Sequence, residues 1–189
     1  MLKKKRRELK DLIEYEKKGY IELGYKNEFI TFFLRNEIGM IWRYIKYLRK
    51  EEYYLDKIAN KLFYIPYILN KRKKNKLGIR LGISIPPNTV GKGIIIYHSG
   101  DIIINANAKI GENCKLHGDN CIGNNGITEH APIIGNNVDI GVGAKVIGNI
   151  ILGDNCKIGA NAVITKSFKE KNLTLVGIPA KILKNKNNE

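Results

Sequence analysis

The chain has 189 residues and a mass of 21.4 kDa, which is enough for one domain with an appended region but excludes several independent folds. With 43% hydrophobic and 27% charged residues it can build a packed core, which argues against wholesale disorder. The net charge of +15 is uneven, since residues 1–80 hold 22 basic and 10 acidic side chains and residues 81–189 hold 11 and 8. Nine of the ten tyrosines lie in the first of these segments, and 15 of the 19 glycines lie in the second. The chain therefore consists of two regions of different kinds.

Residues 1–78 form a basic, tyrosine-rich region in which helical spacing predominates. Two stretches, 7–20 and 27–70, contain few helix breakers and place apolar residues three and four positions apart. We expect helices here, with Pro66 limiting the last helix and a charged connector over 70–78 leading out of the region.

The role of this basic region has two interpretations. Its apolar faces can cover the open end of the following domain, with lysines and arginines simply solvated. Alternatively, the mixture of Tyr, Trp, Lys and Arg can lie on an anionic membrane surface or bind a phosphate-bearing substrate. No nucleic-acid-binding module accompanies the charge, so we expect no nucleic-acid partner.

The sequence predicts neither a membrane span nor an export signal. The longest apolar stretch, 29–47, is interrupted by Arg35, Glu37 and Arg43, and a span needs about 20 apolar residues. No apolar segment follows the basic N-terminus. Three cysteines without close pairs are typical of reduced thiols in a cytosolic protein. We expect a cytoplasmic protein, with the inner face of the membrane open as a contact for the basic region.

A six-residue repeat dominates residues 79–172. Stepping by six from Ile104 to Ile164 meets an aliphatic residue at ten of eleven positions, and the residue that follows is often Gly. A period of six fits neither a helix nor one long strand, so it describes short strands separated by turns. Three such strands close a triangular coil with the aliphatic side chains inside, and the glycine is expected to permit the corner. Stacked coils make a parallel solenoid whose only open edges are at its ends.

Two segments depart from the repeat. Residues 123–133 are polar and rich in Gly and Asn, and we interpret them as a loop extruded from a coil. The alternative is a pair of imperfect hexads that continue the coil. Residues 173–189 follow the last hexad, and their pattern predicts a final strand, a turn, a short cap and a tail.

The three histidines are the candidates for chemistry. A lone histidine is more often structural than catalytic, but His98 follows an apolar run at the place where the repeat frame slips. Ser99 and Gly100 come next, so an irregular coil would present the His98 ring outward. A neutral imidazole is well suited to removing a proton from an alcohol near pH 7.

Three strings carry a family resemblance: GKGIIIYH at 91–98, VDIGVGAKVIG at 138–148 and VGIPAK at 176–181. They resemble the hexapeptide-repeat acyltransferases, and within these the serine acetyltransferase group, including relatives from bacterial surface-polysaccharide pathways. The resemblance covers about residues 80–184. It implies a left-handed parallel β-helix, a homotrimer with active sites between subunits, acetyl-CoA as co-substrate and no metal.

By motif position, the resemblance makes His98 the general base that deprotonates an acceptor hydroxyl, which then attacks the thioester carbonyl. Backbone N–H groups at the coil corners are expected to stabilise the oxyanion. The residues that fall where the family lines the pantetheine arm, nucleotide or phosphates of CoA are Gly141, Val142, Gly143, Lys157, Ala160 and Lys166. For the glycines and the alanine, packing is an equally good explanation.

The departures from the family pattern concern the acceptor. The family carries an Asp about 15 residues before the catalytic histidine, but 82–87 holds no carboxylate, which leaves Asp101 or a main-chain carbonyl to orient His98. The family also carries an Arg-His pair just before the proline that ends the loop, whereas the stretch before Pro132 here reads Glu129-His130-Ala131. A glutamate would repel an amino-acid carboxylate. The candidates for the acceptor site are His117, His130, Asp101 and Glu129.

Together these observations predict an acetyl-CoA-dependent O-acetyltransferase that acts on a sugar hydroxyl in capsular or lipopolysaccharide biosynthesis. The alternative within the same class is a serine O-acetyltransferase of cysteine biosynthesis. An alternative from another class is a non-catalytic trimeric β-helix scaffold that binds a membrane or a partner protein.

Overall fold

The computed structural model describes residues 2–183, with the side chains of all but residues 2, 3 and 32. The tail predicted at the end of 173–189 lies outside the described residues from 184 onward. Within the described part, four helices precede a solenoid of short strands. The helices are α1 (Leu2–Glu22), α2 (Glu28–Leu34), α3 (Glu37–Leu55) and α4 (Tyr64–Leu81), with one 3-10 turn at Lys61–Phe63.

Helix α4 corrects two expectations. The predicted connector over 70–78 is wrong, since α4 runs through it to Leu81 and ends at Gly82, whose φ of 67° is left-handed. Lysine and arginine are good helix formers, and Gly78 does not stop the helix but lets it approach the first strand, because a Cβ there would lie 2.5 Å from the Ile83 carbonyl oxygen. Pro66 does not limit the last helix either. It lies in the first turn of α4, where its missing N–H costs nothing.

Fourteen strands follow in the described part of the chain, each of two or three residues. They are β1 (Ile83–Ser84), β2 (Ile95–Ile96), β3 (Ile102–Ile104), β4 (Lys109–Ile110), β5 (Lys115–Leu116), β6 (Cys121–Gly123), β7 (Ile133–Ile134), β8 (Asp139–Ile140), β9 (Lys145–Ile147), β10 (Ile151–Leu152), β11 (Lys157–Ile158), β12 (Val163–Ile164), β13 (Thr174–Val176) and β14 (Lys181–Ile182).

The strands form three sheets, which we call faces. Face A has the order β1-β3-β6-β9-β12, face B has β4-β7-β10, and face C has β2-β5-β8-β11-β13 with β14 at its end. From β2 to β12 the chain visits faces C, A and B in rotation, and every pairing between strands except β13 with β14 is parallel. The predicted coil of three short parallel strands is confirmed.

The core of the solenoid is a set of aliphatic stacks. On face A, Ile104, Ile122, Val146 and Ile164 are register partners in successive coils, and all are buried. Cys114 and Cys156 are buried free thiols in the small inward positions, and burial raises the pKa of the Cys114 thiol to about 11. Burial makes both thiols structural, and for Cys114 the raised pKa also disfavours the reactive thiolate.

Asparagine, rather than the repeat glycine, supplies the left-handed corners. Asn137, Asn155 and Asn172 all have positive φ, and the side-chain amides of Asn137 and Asn155 donate to the side-chain carbonyls of Asn155 and Asn172, each at 3.1 Å. The glycine after the aliphatic serves another purpose. A Cβ on Gly111 or Gly135 would lie within 3 Å of the next coil's atoms, so glycine lets the coils stack closely.

The helices cover the first coil of the solenoid, which has no preceding coil to pair with. The Tyr20 hydroxyl donates to the Ile94 carbonyl at 3.3 Å and accepts from the Ile96 amide at 3.2 Å. The Tyr44 hydroxyl accepts from the Ile85 amide at 2.9 Å. Helix side chains thus provide the hydrogen bonds that a preceding coil would otherwise make.

A buried ion pair anchors this contact. The Arg49 guanidinium donates to the Glu16 carboxylate at 2.7 Å and to the carbonyl oxygens of Val90 and Gly91 at 3.0 and 2.6 Å. Glu16 also accepts from the Gly93 amide at 3.1 Å, and neither charged side chain is more than 3% exposed. Burial raises the pKa of the Glu16 carboxyl, and Arg49 beside it opposes that rise. The pair joins α1, α3 and the first coil.

Replacement of Arg49 by alanine should destabilise the protein by about 3–5 kcal/mol, because it leaves Glu16 buried without a counter-charge. Two carbonyls of the first coil also lose their donor. Urea unfolding followed by far-UV circular dichroism measures the change.

The matched control is Lys50→Ala on the same helix, at a partly exposed position, where we expect a change within about 0.5 kcal/mol. An Arg49→Ala variant as stable as the control would contradict the anchoring role of the ion pair.

Candidate functional site

His98 lies two residues after β2, at the corner where the chain passes from face C to face A. Its side chain is 69% exposed, as predicted for an outward ring. Gly100 makes the turn that follows, with a φ of 130°. The ring therefore projects from the corner into space that a substrate can enter.

A carboxylate from the helical region faces this ring. The Oε2 atom of Glu37 lies 3.6 Å from His98 Nδ1, which is an ion-pair distance and longer than a hydrogen bond. Glu37 is the first residue of α3, and the Asn36 side chain caps that helix by accepting from the Gly39 amide at 3.0 Å. The helix cap thus fixes the backbone that carries the carboxylate.

Ser99 holds the Glu37 carboxylate in place. The Ser99 hydroxyl and backbone amide both donate to Glu37 Oε1, at 2.6 and 2.8 Å. The Ser99 hydroxyl is the main reason that the pKa of the Glu37 carboxyl lies below its ordinary value, and the Ser99 amide and His98 act in the same direction against the opposing effect of burial. Glu37 is therefore an anion beside Nδ1, which favours the tautomer with its proton on Nδ1 and a lone pair on Nε2.

A column of small residues lies below His98 on the same corner. The register of β2, β5, β8 and β11, extended by two residues, places His98, Gly118, Val142 and Ala160 above one another in successive coils. A Cβ on Gly118 would touch the Cβ of His98 at 3.5 Å, and the Asn161 amide donates to the Val142 carbonyl at 2.8 Å. We call these four positions the corner column. It spans three coil spacings, about 14 Å.

The structure thus brings four of the six predicted CoA residues to the corner that carries His98. Val142 and Ala160 expose their side chains there, and Gly141 and Gly143 flank Val142. Packing does account for both glycines, because a Cβ on Gly141 would lie 2.7 Å from the Ile158 carbonyl oxygen, and one on Gly143 would clash with the Asn161 side chain. Because Gly141 and Gly143 have no side chains, no group projects from the corner at these two positions.

The two predicted lysines lie elsewhere. Lys157 is exposed in β11 on face C, in the strand that leads to Ala160. Lys166 follows β12 on face A, with its ammonium 5.4 Å from the centre of the Phe168 ring. Lys166 therefore belongs to the next corner of the same coil and not to the column below His98.

His117 forms a separate constellation on face C. Its Nε2 atom lies 2.7 Å from the Asp139 carboxylate one coil below, and its ring stacks on Tyr97 with centroids 4.5 Å apart. Tyr97 precedes His98 in the chain, so this pair lies one residue from the candidate base. The sequence pattern does not point to Tyr97 or Asp139 as site residues.

The other acceptor candidates do not contact His98 within the described chain. Residues 124–132 form no strand, and Glu129 and His130 are exposed between faces A and B. The Asp101 amide donates to Asp119 at 3.1 Å, and Asp101 lines a cleft of about 580 Å³ beside α4. The expectation that Asp101 or a main-chain carbonyl orients His98 is corrected, since Glu37 faces the ring.

Glu37 and Ser99 are the site residues that the sequence did not assign to His98. Ser99 adjoins the histidine, but its partner lies 62 positions earlier in the chain. One signal in the sequence pointed to a different orienting residue for His98. Residues 82–87 hold no carboxylate, so an orienting carboxylate has to come from another part of the chain.

Known proteins match the solenoid. Residues 131–166 match the family model described as bacterial transferase hexapeptide (six repeats). A serine acetyltransferase of Synechococcus elongatus is 35% identical over 105 residues, which cover 54% of this chain and 43% of that protein. One from Staphylococcus aureus strain Mu50 is 39% identical over 106 residues, covering 54% and 49%. The chain thus spans about half the length of the curated relatives it matches.

Solved structures match a larger part of the chain. Serine acetyltransferase from Neisseria gonorrhoeae has a TM-score of 0.69 at 25% identity and covers 97% of this chain and 67% of that chain. The Brucella abortus strain S19 enzyme in complex with coenzyme A has a TM-score of 0.63 at 26% identity, covering 75% and 55%. The resemblance to hexapeptide-repeat serine acetyltransferases is confirmed. The match to the Neisseria gonorrhoeae structure, at 97% of this chain, also includes helices before residue 82, whereas the three sequence strings lie within 91–181.

Neither a metal cluster nor a membrane-spanning helix is found among the described residues. Between residues 2 and 183 no cluster of three or more His, Cys, Asp or Glu side chains has an arrangement that could hold a metal ion. In the same part of the chain, no helix combines the length and the apolar character that crossing a membrane requires.

The Ser99→Ala variant should raise the pKa of the Glu37 carboxyl towards its ordinary value of 4.5, because the hydroxyl that stabilises the anion is removed. A pKa lowered by folding contributes stability above the ordinary pKa and loses it as the pH falls through the folded-state value. The variant should therefore be less stable than the parent at pH 7, and the difference should vanish in acid. Carboxyl NMR titration and urea unfolding measure the two effects.

Ser84→Ala, at an exposed serine of β1, is the control and should leave the Glu37 titration unchanged. An unchanged Glu37 pKa in Ser99→Ala would mean that the serine does not hold this carboxylate in solution.

Proposed function

We propose that the chain is an acetyl-CoA-dependent O-acetyltransferase in which His98 is the general base. The observation that carries this proposal is the exposed His98 ring, backed by Glu37 and placed at the head of the corner column. Similarity to serine acetyltransferases, one of them solved with coenzyme A, supports the choice of donor. In the same proposal the solenoid is left-handed and the protein is a homotrimer with its sites between subunits.

The roles of the residues follow from the geometry. With its proton on Nδ1 towards Glu37, His98 has a lone pair on Nε2 that accepts the proton of the acceptor hydroxyl as the oxygen attacks the thioester carbonyl. The imidazolium formed in this step is stabilised by the Glu37 anion 3.6 Å away. His98 then returns the proton to the departing thiolate.

The corner column is the proposed binding site for the donor. The thioester end lies beside His98, and the pantetheine arm follows the column past Val142 to Ala160, where no large side chain obstructs it. Backbone N–H groups at the corner would stabilise the oxyanion. Lys157, exposed on the strand that ends beside Ala160, is placed to meet a phosphate, and Lys166 at the next corner serves a neighbouring subunit.

The proposal also concerns the identity of the acceptor that receives the acetyl group. Every relative described above is a serine acetyltransferase, which favours the serine hydroxyl over the sugar hydroxyl predicted from the sequence. The sugar hydroxyl remains the second candidate because Glu129 and His130 are exposed on the segment where the family carries Arg-His. A carboxylate at that place repels an amino-acid carboxylate and accepts hydrogen bonds from sugar hydroxyls.

The pair of Glu37 and His98 favours an enzyme over the non-catalytic scaffold. Ser99 holds the Glu37 carboxylate with two hydrogen bonds, and the carboxylate faces a histidine side chain that is 69% exposed. The pair therefore adds nothing to the packed core. Such a pair is typical of general-base sites.

The variant His98→Ala should lower kcat for acetyl transfer by about 10²–10⁴-fold with little change in the KM for acetyl-CoA, because it removes the base but not the binding column. Release of free CoA thiol with a chromogenic disulfide measures the rate.

A second variant separates positioning from folding. Glu37→Gln keeps the acceptor oxygen for Ser99 but loses the charge that stabilises the imidazolium in the transition state, so kcat should fall by roughly 10–10³-fold with little change in the KM for acetyl-CoA. A merely structural role would change the unfolding midpoint and leave kcat unchanged. Parent-like turnover in both variants, with the same unfolding midpoint, would overturn the mechanism.

Thiol release should be faster with L-serine than with nucleotide-sugar acceptors if the relatives indicate the acceptor correctly. Faster release with a nucleotide sugar, together with a loss of at least about tenfold in Glu129→Ala for that acceptor alone, would establish the second candidate instead. No thiol release with any acceptor and no heat of acetyl-CoA binding in calorimetry would favour the scaffold.

A further inference from the structure

The outer side of helix α4 combines exposed aliphatic residues with a dense positive charge. Ile79 is 86% exposed and Ile65 is 69% exposed, and Ile68 and Leu69 also face solvent. The preceding turn adds Leu62, which is 80% exposed. Single exposed aliphatic residues need no explanation, but a group along one helix does.

The spacing puts these residues on one surface. Ile65, Ile68, Arg72, Lys76 and Ile79 follow one another at intervals of three and four residues, which is one side of an α-helix. The opposite side is buried against α3 and the first strand. A groove of about 580 Å³ runs along the exposed side. We call this side of the helix the α4 outer face.

The charge of this helix is one-sided. It holds six basic residues and no acidic residue. Lys74 is buried and pairs with Glu51 at 2.6 Å, and Lys71 donates to the Tyr67 hydroxyl at 3.2 Å. The four others are exposed, and none of them forms an ion pair with any carboxylate in the part of the chain that the structure describes. These four are Arg72, Lys73, Lys76 and Arg80.

We infer that the α4 outer face docks on an anionic lipid surface, with the helix lying in the plane of the interface. The aliphatic side chains enter the boundary between headgroups and acyl chains, and the long stems of Arg72 and Lys76 extend their charges to the lipid phosphates. Attraction to acidic lipids adds to the burial of the aliphatic residues.

The charge distribution selects this partner over the others. A second copy that docked through the same face would bring two sets of four unpaired cations together, which is repulsive. A nucleic acid would neutralise the cations but would leave the four aliphatic residues without a partner, because base stacking uses aromatic platforms. A lipid surface supplies both an apolar layer for the aliphatic residues and anionic headgroups for the cations. Such docking is peripheral and needs no helix that spans the membrane.

Vesicle co-sedimentation of the full chain tests the inference. The protein should sediment with phosphatidylcholine vesicles that contain about one third phosphatidylglycerol, should not sediment with phosphatidylcholine alone, and should be released at high salt. The double variant Arg72→Gln/Lys76→Gln should bind about 25-fold more weakly, at about fivefold for each cation. The double variant Ile65→Ser/Ile79→Ser should lose about tenfold or more.

The controls carry the same chemistry elsewhere on the surface. Lys169→Gln/Lys181→Gln removes two exposed cations of the solenoid, and Ile127→Ser/Ile178→Ser removes two exposed isoleucines. Both should bind vesicles as the parent does. Circular dichroism and unfolding midpoints must be the same for all four variants.

Three results would overturn the inference. Equal sedimentation with neutral and anionic vesicles would exclude the electrostatic contribution. Equal losses of vesicle affinity in the α4 variants and in their controls would place the lipid contact outside the α4 outer face. No vesicle binding, together with self-association in analytical ultracentrifugation that Ile65→Ser/Ile79→Ser abolishes, would assign the face to contacts between copies. The test does not depend on acetyl transfer, so it stands or fails independently of the proposed function.

Discussion

The open edge of the first coil governs how the helical region packs on the solenoid. A stacked parallel solenoid satisfies each coil's backbone through its neighbours, but the first coil lacks one neighbour. Arg49 and Glu16 resolve this by a buried ion pair that also bonds two carbonyls and one amide of that coil. Tyr20 and Tyr44 complete the contact. Because these bonds fix α1 and α3 on the solenoid, they also fix everything that the helices carry.

The candidate site is one consequence of this docking. Helix α3 presents its first residue, Glu37, to the corner that carries His98, and Ser99 holds the carboxylate there. The helical region is thus both a cover for the open end and part of the site. Among the described cations of the helical region, only Arg49 and Lys74 take part in the buried contact with the first coil. Most of the others are exposed, and four of them, Arg72, Lys73, Lys76 and Arg80, lie on α4, whose outer face we infer to dock on lipid.

The sequence predicted the repetitive part of the molecule well because its signal is periodic. A buried aliphatic residue every six positions leaves few folds other than three-sided coils, and the faces A, B and C follow from it. Local sequence signals predicted the roles of individual glycines less reliably, because those roles depend on tertiary contacts. Gly78 looked like a helix end but is a point of close approach to Ile83, and the repeat glycines proved to be spacers between coils while asparagines took the left-handed corners.

For the candidate site, the sequence predicted His98 as the base, gave the run of small residues around Val142 and Ala160, and lacked the family's strand carboxylate. The contacts of Glu37 with Ser99 and His98, the pairing of His117 with Asp139 and the position of Lys166 at a different corner became visible only in the folded chain. The distance between the partners along the chain explains this difference. A hexad signal is local and repeats, whereas Glu37 and Ser99 are 62 positions apart and meet only because the helices dock on the open edge of the first coil.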